Sequence, residues 1–295
     1  MKILLLYFTG TYNTKYLTTL LKNKFENNLN VVDIFEVKGE SESIDLSSYD
    51  LIGLGYPIYA FNTPKIFYKY LKNLKLLANT HYFIYKQSGE TIKLNNASSR
   101  KIKKLINKSK GILVNEQHYV MPYNIHFRYE DNCVKEILKY DEMLINIQLY
   151  EIRHNIHYVI KSNTIYNFIS RVLSIYHFGA KINHSFYKIY MDKCNNCKKC
   201  LKECPTKNIY VNKKGQIDFG PNCEMCMRCS FICPNNAIKI GMLEGWKVNG
   251  PYNLNEIKNN PQISDSFITP NQKGFFKCYL KTYDYIQNKY NKYFL

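Results

Sequence analysis

Acidic residues are scarce in this sequence: 23 Asp and Glu stand against 41 Lys and Arg in 295 residues, a formal charge of +18. Such an excess suits acidic protein partners, an anionic surface or nucleic acid. No nucleic-acid-binding module accompanies it, so nucleic acid is not expected as a partner. The chain is also rich in Lys, Asn, Ile and Tyr, the residues of A/T-rich genomes, so charge alone names no partner. Long apolar runs are missing too. The most apolar later stretch, 155–180, contains Lys161 and Arg171 and falls short of the roughly 18 uninterrupted residues of a spanning helix. The opening run after Met1 has one charge before it and no small-residue cleavage site after it, so it reads as a strand rather than a signal segment. The expected location is cytoplasmic. No Ser/His/Asp constellation, paired carboxylates or Gly-rich nicotinamide loop is evident, so no catalytic residue and no organic substrate are assigned.

Cysteine is nearly absent outside one corner. Eight of the 10 lie between Cys194 and Cys233. A disulfide framework spreads its cysteines through a short secreted domain, so this clustering points to metal ligation. Cys133 and Cys278 stand alone and are expected to be inert thiols. His154 and His157 lack the carboxylate company of a metal pair.

What is present begins with alternation. Apolar strand patterns at 2–8, 30–37, 51–54, 81–86 and 111–120 are separated by helical patterns carrying Leu17, Leu20, Leu21 and Phe25, then Ile66, Phe67, Tyr70 and Leu71, then Ile102, Leu105 and Ile106. Strands alternating with helices give βαβ units and a parallel sheet covered on both faces. Five strands in about 120 residues fit an α/β, doubly wound domain of flavodoxin size. Residues 134–160 are expected to be helical and 164–190 to form one helix plus a connector. The divisions expected are 1–160, a helical connector at 161–185, a small α+β domain at 186–242, and a tail at 243–295 packing on the body. The Tyr/Phe/Lys stretch 275–295 resembles a membrane-surface helix in composition. It is read as packing on its own domain, and membrane contact is not expected.

Cys194-x-x-Cys197-x-x-Cys200-x-x-x-Cys204-Pro205 recurs 29 residues later as Cys223-x-x-Cys226-x-x-Cys229-x-x-x-Cys233-Pro234. Three cysteines at this spacing wrap one iron–sulfur cube, and the fourth is carried by the chain to the other half. One [4Fe–4S] cluster is thus expected on Cys194, Cys197, Cys200 and Cys233, and a second on Cys223, Cys226, Cys229 and Cys204. Paired zinc sites would present cysteines in twos and leave the trailing prolines unexplained. The segment resembles the bacterial two-cluster ferredoxin domain with no ligand missing. From 186 to 242, ten Lys and Arg face four acids. Positive surroundings favour reduced clusters and dock acidic partners.

The turn Thr9-Gly10-Thr11-Tyr12-Asn13-Thr14 leaves a buried strand and opens a helix, where free N–H groups and the helix dipole suit a phosphate. It resembles the flavodoxin phosphate loop, Thr/Ser-Gly-Thr-Gly-Asn-Thr, with Tyr12 in place of a glycine. That likeness implies FMN. Tyr56, Pro57, Ile58, Tyr59 and Ala60, after the third strand, and Gln87, Ser88 and Gly89, after the fourth, would flank its ring. The expected place of the Tyr12 ring is beside the phosphate or the ribityl chain. Over essentially the full chain, least across 125–185, the sequence resembles the flavodoxin–ferredoxin fusions of anaerobic bacteria called EFR-type ferrodoxins. Gly53-Leu-Gly-Tyr-Pro-Ile-Tyr-Ala-Phe-Asn-Thr-Pro64 and Trp246-Lys-Val-Asn-Gly-Pro-Tyr252 resemble that family's other signatures. The resemblance implies an electron-transfer protein with FMN, two [4Fe–4S] clusters and redox protein partners. The alternatives are a flavin-dependent reductase of a small molecule fed by the ferredoxin half, and a scaffold without flavin.

Overall fold

The computed structural model describes residues 1–39 and 41–295, His177 by its backbone alone. The first half runs β1 (Lys2–Tyr7), α1 (Asn13–Glu26), β2 (Val31–Glu36), β3 (Leu51–Pro57), α2 (Lys65–Leu74), β4 (His81–Ser88), α3 (Arg100–Lys108), β5 (Ile112–Val120) and α4 (Asp131–Arg153). The strands form one sheet in the order β2-β1-β3-β4-β5, with every pairing parallel. This is the doubly wound order of flavodoxins. Alternate residues of β1 explain the layering. Ile3, Leu5 and Tyr7 pack with Leu17, Leu21 and Phe25 of α1 and with α4. Leu4, Leu6 and Phe8 pack on the other face with Ile66, Phe67 and Leu71 of α2 and Ile102 and Ile106 of α3. A strand buried on both faces is apolar throughout.

Two expectations change. α4 ends at Arg153 rather than near Ile160. Asn155 turns the chain with φ 52, and Tyr158 then runs beside the open edge of β5, where its carbonyl accepts from Glu116 N–H at 2.7 Å. The unpaired edge is thereby covered. Residues 164–190, expected as one helix plus a connector, contain two helices, α5 (Thr164–Leu173) and α6 (Tyr176–Asn183). Asn163 caps α5 by accepting from Tyr166 N–H at 2.8 Å.

The cysteine-rich half comprises β6 (Tyr187–Ile189), α7 (Lys199–Glu203), β7 (Ile209–Val211), β8 (Ile217–Phe219), α8 (Arg228–Phe231) and β9 (Ile238–Ile240). β6 pairs antiparallel with β9, and β7 with β8. The sequence repeat is also a backbone repeat. Asn196, Lys198 and Lys207 take left-handed φ, and so do Met225, Met227 and Asn236, their equivalents in the second run. The chain ends with α9 (Leu254–Asn259) and α10 (Lys277–Phe294). α10 buries Tyr279, Tyr283 and Ile286 and stacks Tyr283 on Tyr140 of α4 at 3.7 Å between ring centroids. Among the described residues no helix is long and apolar enough to cross a membrane.

Candidate cofactor sites

No two of the ten cysteines are joined in a disulfide. Cys194, Cys197, Cys200 and Cys233 line one small cavity with Ile189, Ile217 and Ile238. Electrostatics groups the remainder: Cys223, Cys226 and Cys229 each lie within the influence of Cys204, while Cys200 is influenced by Cys233 and Cys194. Each run therefore sends its fourth cysteine to the other. The two carriers are held alike, because Asn208 N–H donates to Cys204 Sγ and Ala237 N–H to Cys233 Sγ, both at 3.2 Å. Burial, then neighbouring thiols, push Cys223 up to about 11 and Cys226 up to about 12; a metal would bind them as thiolates, releasing protons. Among the described residues no three His, Cys, Asp or Glu side chains converge on a single ion, a convergence that a cube with one thiolate per iron does not require.

The two runs differ in setting. Cys197, Lys198 and Lys199 are exposed. Their equivalents Cys226, Met227 and Arg228 are 8%, 4% and 1% exposed, pressed onto the N-terminal domain. A Cβ on Gly10 would come within 2.7 Å of the Cys226 carbonyl oxygen, so the turn needs its glycine because the second run sits on it.

A second cavity, about 630 Å³, opens at the carboxyl ends of the parallel strands, where doubly wound domains hold their ligands. Asn13, Pro57, Ile58, Tyr59, Ala60, Gln87, Ser88 and Gly89 line it, and Glu224, Met225 and Met227 of the second run close it. The loop after β5, from Pro122 to His126, forms another wall. The Trp246–Tyr252 segment holds that loop: His126 N–H donates to the Trp246 carbonyl at 2.7 Å, and Arg128 lies over the Tyr252 ring at 4.3 Å.

The turn from Thr9 to Thr14 suits an anion. Among the described residues, the N–H groups of Thr11 to Thr14 find no acceptor, and the buried Thr9 Oγ1 and Tyr59 hydroxyl have no partner. Buried polar groups of this kind call for a ligand or water. The turn's other side chains are engaged. Asn13 Nδ2 donates to the Pro122 carbonyl at 2.8 Å, Thr11 Oγ1 accepts from Asn124 at 3.1 Å and Thr14 Oγ1 from Gln87 at 3.3 Å.

Two expected contacts are corrected. Tyr56 does not reach the cavity; it is fully buried under α2, against Phe67 at 5.7 Å. Alternation along β3 turns it away from the ring site. The Tyr12 ring lies not along a phosphate or ribityl path but over the Arg228 guanidinium at 5.2 Å, with its hydroxyl donating to Glu203 at 3.3 Å. Tyr12 has φ 71, the left-handed backbone that glycine adopts without cost. Arg228 itself was not anticipated. Its Nε donates to the Gly10 carbonyl at 2.8 Å, Nη2 to the Thr9 carbonyl at 2.7 Å and to Glu36 at 2.9 Å, and Nη1 to the Glu203 carbonyl at 3.2 Å. The guanidinium thus holds the carbonyl side of the turn, leaving its N–H side for a ligand.

Comparison with known proteins agrees at the coarse level. Residues 187–234 match the family model of the 4Fe-4S dicluster domain. An uncharacterized protein of Methanocaldococcus jannaschii is 44% identical over 54 residues, 18% of this chain and 14% of that protein. Solved structures similar to the N-terminal half include the Streptococcus pneumoniae TIGR4 flavodoxin, at 16% identity and TM-score 0.37 over 50% of this chain and 96% of that one. An archaeal flavodoxin is 12% identical at TM-score 0.37, over 52% of this chain and all of its own. A short-chain flavodoxin associated with a bacterial microcompartment is 14% identical at TM-score 0.36, over 42% and 86%. The strand order, not these scores, carries the fold assignment. A flavodoxin-like sheet and a 4Fe–4S domain share one chain.

Proposed function

We propose that this chain is an electron-transfer flavo-iron–sulfur protein of the EFR-type ferrodoxin kind, relaying electrons between FMN, two [4Fe–4S] clusters and an external redox protein. The observation that carries the reading is the cavity at the strand ends, whose wall is shared by the flavin-flanking loops and the second cysteine run. When bound, FMN supplies one- and two-electron chemistry and each cluster one-electron chemistry. The N–H groups of Thr11 to Thr14 hold the phosphate. Pro57 to Ala60 and Gln87 to Gly89 enclose the ring, and Met225 and Met227 exclude water between it and the inner cysteines. Cys204, Cys223, Cys226 and Cys229 hold the inner cluster, and Cys194, Cys197, Cys200 and Cys233 the outer one. Exposed Lys193, Lys198, Lys199 and Lys202 surround the outer run and suit an acidic partner.

Protein purified anaerobically is expected to carry about eight iron, eight acid-labile sulfide and one FMN per chain. Two zinc per chain, with no iron after anaerobic reconstitution, would overturn the cluster assignment. FMN should bind the apoprotein much more tightly than riboflavin, and equal affinities would remove the phosphate from Thr9 to Thr14.

A further inference from the structure

α5 and α6 carry an apolar face that nothing among the described residues covers. Ile165, Phe168 and Val172 recur at i, i+3 and i+7, and Ile175, Phe178 and Ile182 repeat that spacing directly after them; each is between 46% and 69% exposed. The spacing places each trio on one side of its helix. The opposite side is fastened to the body. Ser170 Oγ donates to the Phe61 carbonyl at 2.9 Å and Asn62 Nδ2 to the Ser170 carbonyl at 2.8 Å. On α6, Ala180 and Asn183 are buried, and Asn183 Nδ2 donates to the Ile240 carbonyl at 3.2 Å. Polar anchoring on one side and six large apolar groups on the other is the reverse of a helix packed on its own core. Exposed apolar surface of this extent marks an interaction site.

Charge selects the occupant. From 152 to 191 the sequence holds Arg153, Lys161, Arg171, Lys181 and Lys188 and no Asp or Glu, and all five cations are exposed. A second copy of the chain would bring the same unrelieved positive charge to a self-complementary contact. An anionic bilayer supplies both what the apolar stripe and what the cations need, acyl chains beneath and negative headgroups at their level. We propose that α5 and α6 seat the protein on an anionic lipid surface, with the apolar trios in the headgroup–acyl boundary and Arg171 and Lys181 among the headgroups. This proposal replaces the expectation of no membrane contact and rests on the connector, while the C-terminal stretch packs on the body as α10. The seat adjoins the flavin cavity, whose lining includes Tyr176 at the start of α6.

Vesicle flotation of the full chain, purified anaerobically, tests this. The protein should float with phosphatidylcholine vesicles containing about a third phosphatidylglycerol, not with pure phosphatidylcholine, and added salt should weaken the binding. Phe168→Ser with Phe178→Ser should abolish flotation. Arg171→Gln and Lys181→Gln should each weaken it about fivefold. Both sets lie at exposed positions, and an unchanged visible spectrum verifies that the body is intact. No flotation with either vesicle, or equal flotation with both, overturns the proposal. So does a stable dimer in solution that the two serine substitutions dissociate, which would assign the stripe to a second copy.

Discussion

Arg228 occupies the place of Lys199 in the repeat, and the change of residue follows from its neighbours. An exposed lysine needs water alone, whereas a side chain 1% exposed needs a partner for every donor. The planar fork of arginine reaches the carbonyls of Thr9, Gly10 and Glu203 and the carboxylate of Glu36 together, which a single ammonium cannot do. Arg228 positions the Thr9–Thr14 turn through its carbonyls, and Tyr12 covers it by cation–π contact. Arg228→Lys should therefore weaken FMN binding about tenfold or more, as the loss of hydrogen bonds worth about 1–3 kcal/mol each implies, while riboflavin affinity changes much less. Flavin fluorescence titration of apoprotein measures both, and an equal loss for the two ligands would show a general loosening of the fold instead. Tyr12→Gly separates two opposing effects: it relieves a left-handed φ costing on the order of 1–3 kcal/mol and removes the ring over Arg228. FMN should still bind more tightly than riboflavin in that variant, because the N–H donors of the turn belong to the backbone.

Among the elements, the five strands were legible because parallel strands buried on both faces read as apolar runs. Their tips were not. β3 continues through Gly55, Tyr56 and Pro57 and β4 through Gln87 and Ser88, residues that resemble turns in sequence; of these, Pro57, Gln87 and Ser88 line the cavity. The end of α4 was misplaced because Ile156 and Ile160 continue an apolar pattern past a turn made at Asn155. Burial of the polar residues in β5 was also hidden, since it depends on partners distant in sequence. Glu116 pairs with Lys86 at 2.8 Å and Lys103 at 2.5 Å, and Glu151 of α4 accepts from Asn115 and Gln117. Beside this network His118 bonds Ser88 Oγ at 2.7 Å. Burial first, then the charge of Lys86, lower its pKa from 6.5 to about 3, against the pull of Glu116. The unfolded chain therefore binds a proton between those values that the folded chain refuses, and stability falls as pH drops below about 6.5, by up to about 1.4 kcal/mol per unit. Glu224, pushed up to about 7 by burial, works in the opposite direction, because the folded chain takes up a proton there before the unfolded one does. The contribution of His118 is thus read as a difference. His118→Gln should lose less stability than the parent between pH 7 and pH 5 in denaturant melts, and identical losses would show that the imidazole is protonated in the fold.

Across the whole molecule, the duplicated halves have diverged in burial. Where the first run has Lys198, Lys199 and Lys202, the second has Met227, Arg228 and Phe231, and these three are buried where the lysines are exposed. The signal lies in the repeat itself: in one of two equal loops Met227 and Phe231 stand where the other has lysine, and such an exchange marks the loop that faces protein. The inner run thus borders the cavity at the strand ends and the outer run faces solvent, a polarity that two independent ferredoxin loops would not have. On the proposed ligand sets each run lends its fourth cysteine to the other, so the two carriers should give opposite phenotypes. Cys204→Ala removes a ligand from the set with Cys223, Cys226 and Cys229, so the cluster against the flavin cavity should be damaged and FMN reduction by an external one-electron donor should slow by orders of magnitude. Cys233→Ala removes a ligand from the exposed set with Cys194, Cys197 and Cys200. It should impair exchange with a protein partner while leaving the inner cluster's signal intact. Each variant should lose up to about four of eight iron, and both should retain FMN, whose phosphate turn contains neither cysteine. Cys133→Ala and Cys278→Ala, outside both sets, should keep the full complement. Electron paramagnetic resonance of the reduced variants, with iron counts, distinguishes the two clusters by their separate signals. If Cys204→Ala instead abolished the outer cluster's signal and spared the inner one, each run would be closing its own cube, and the path from partner to flavin would have to be redrawn.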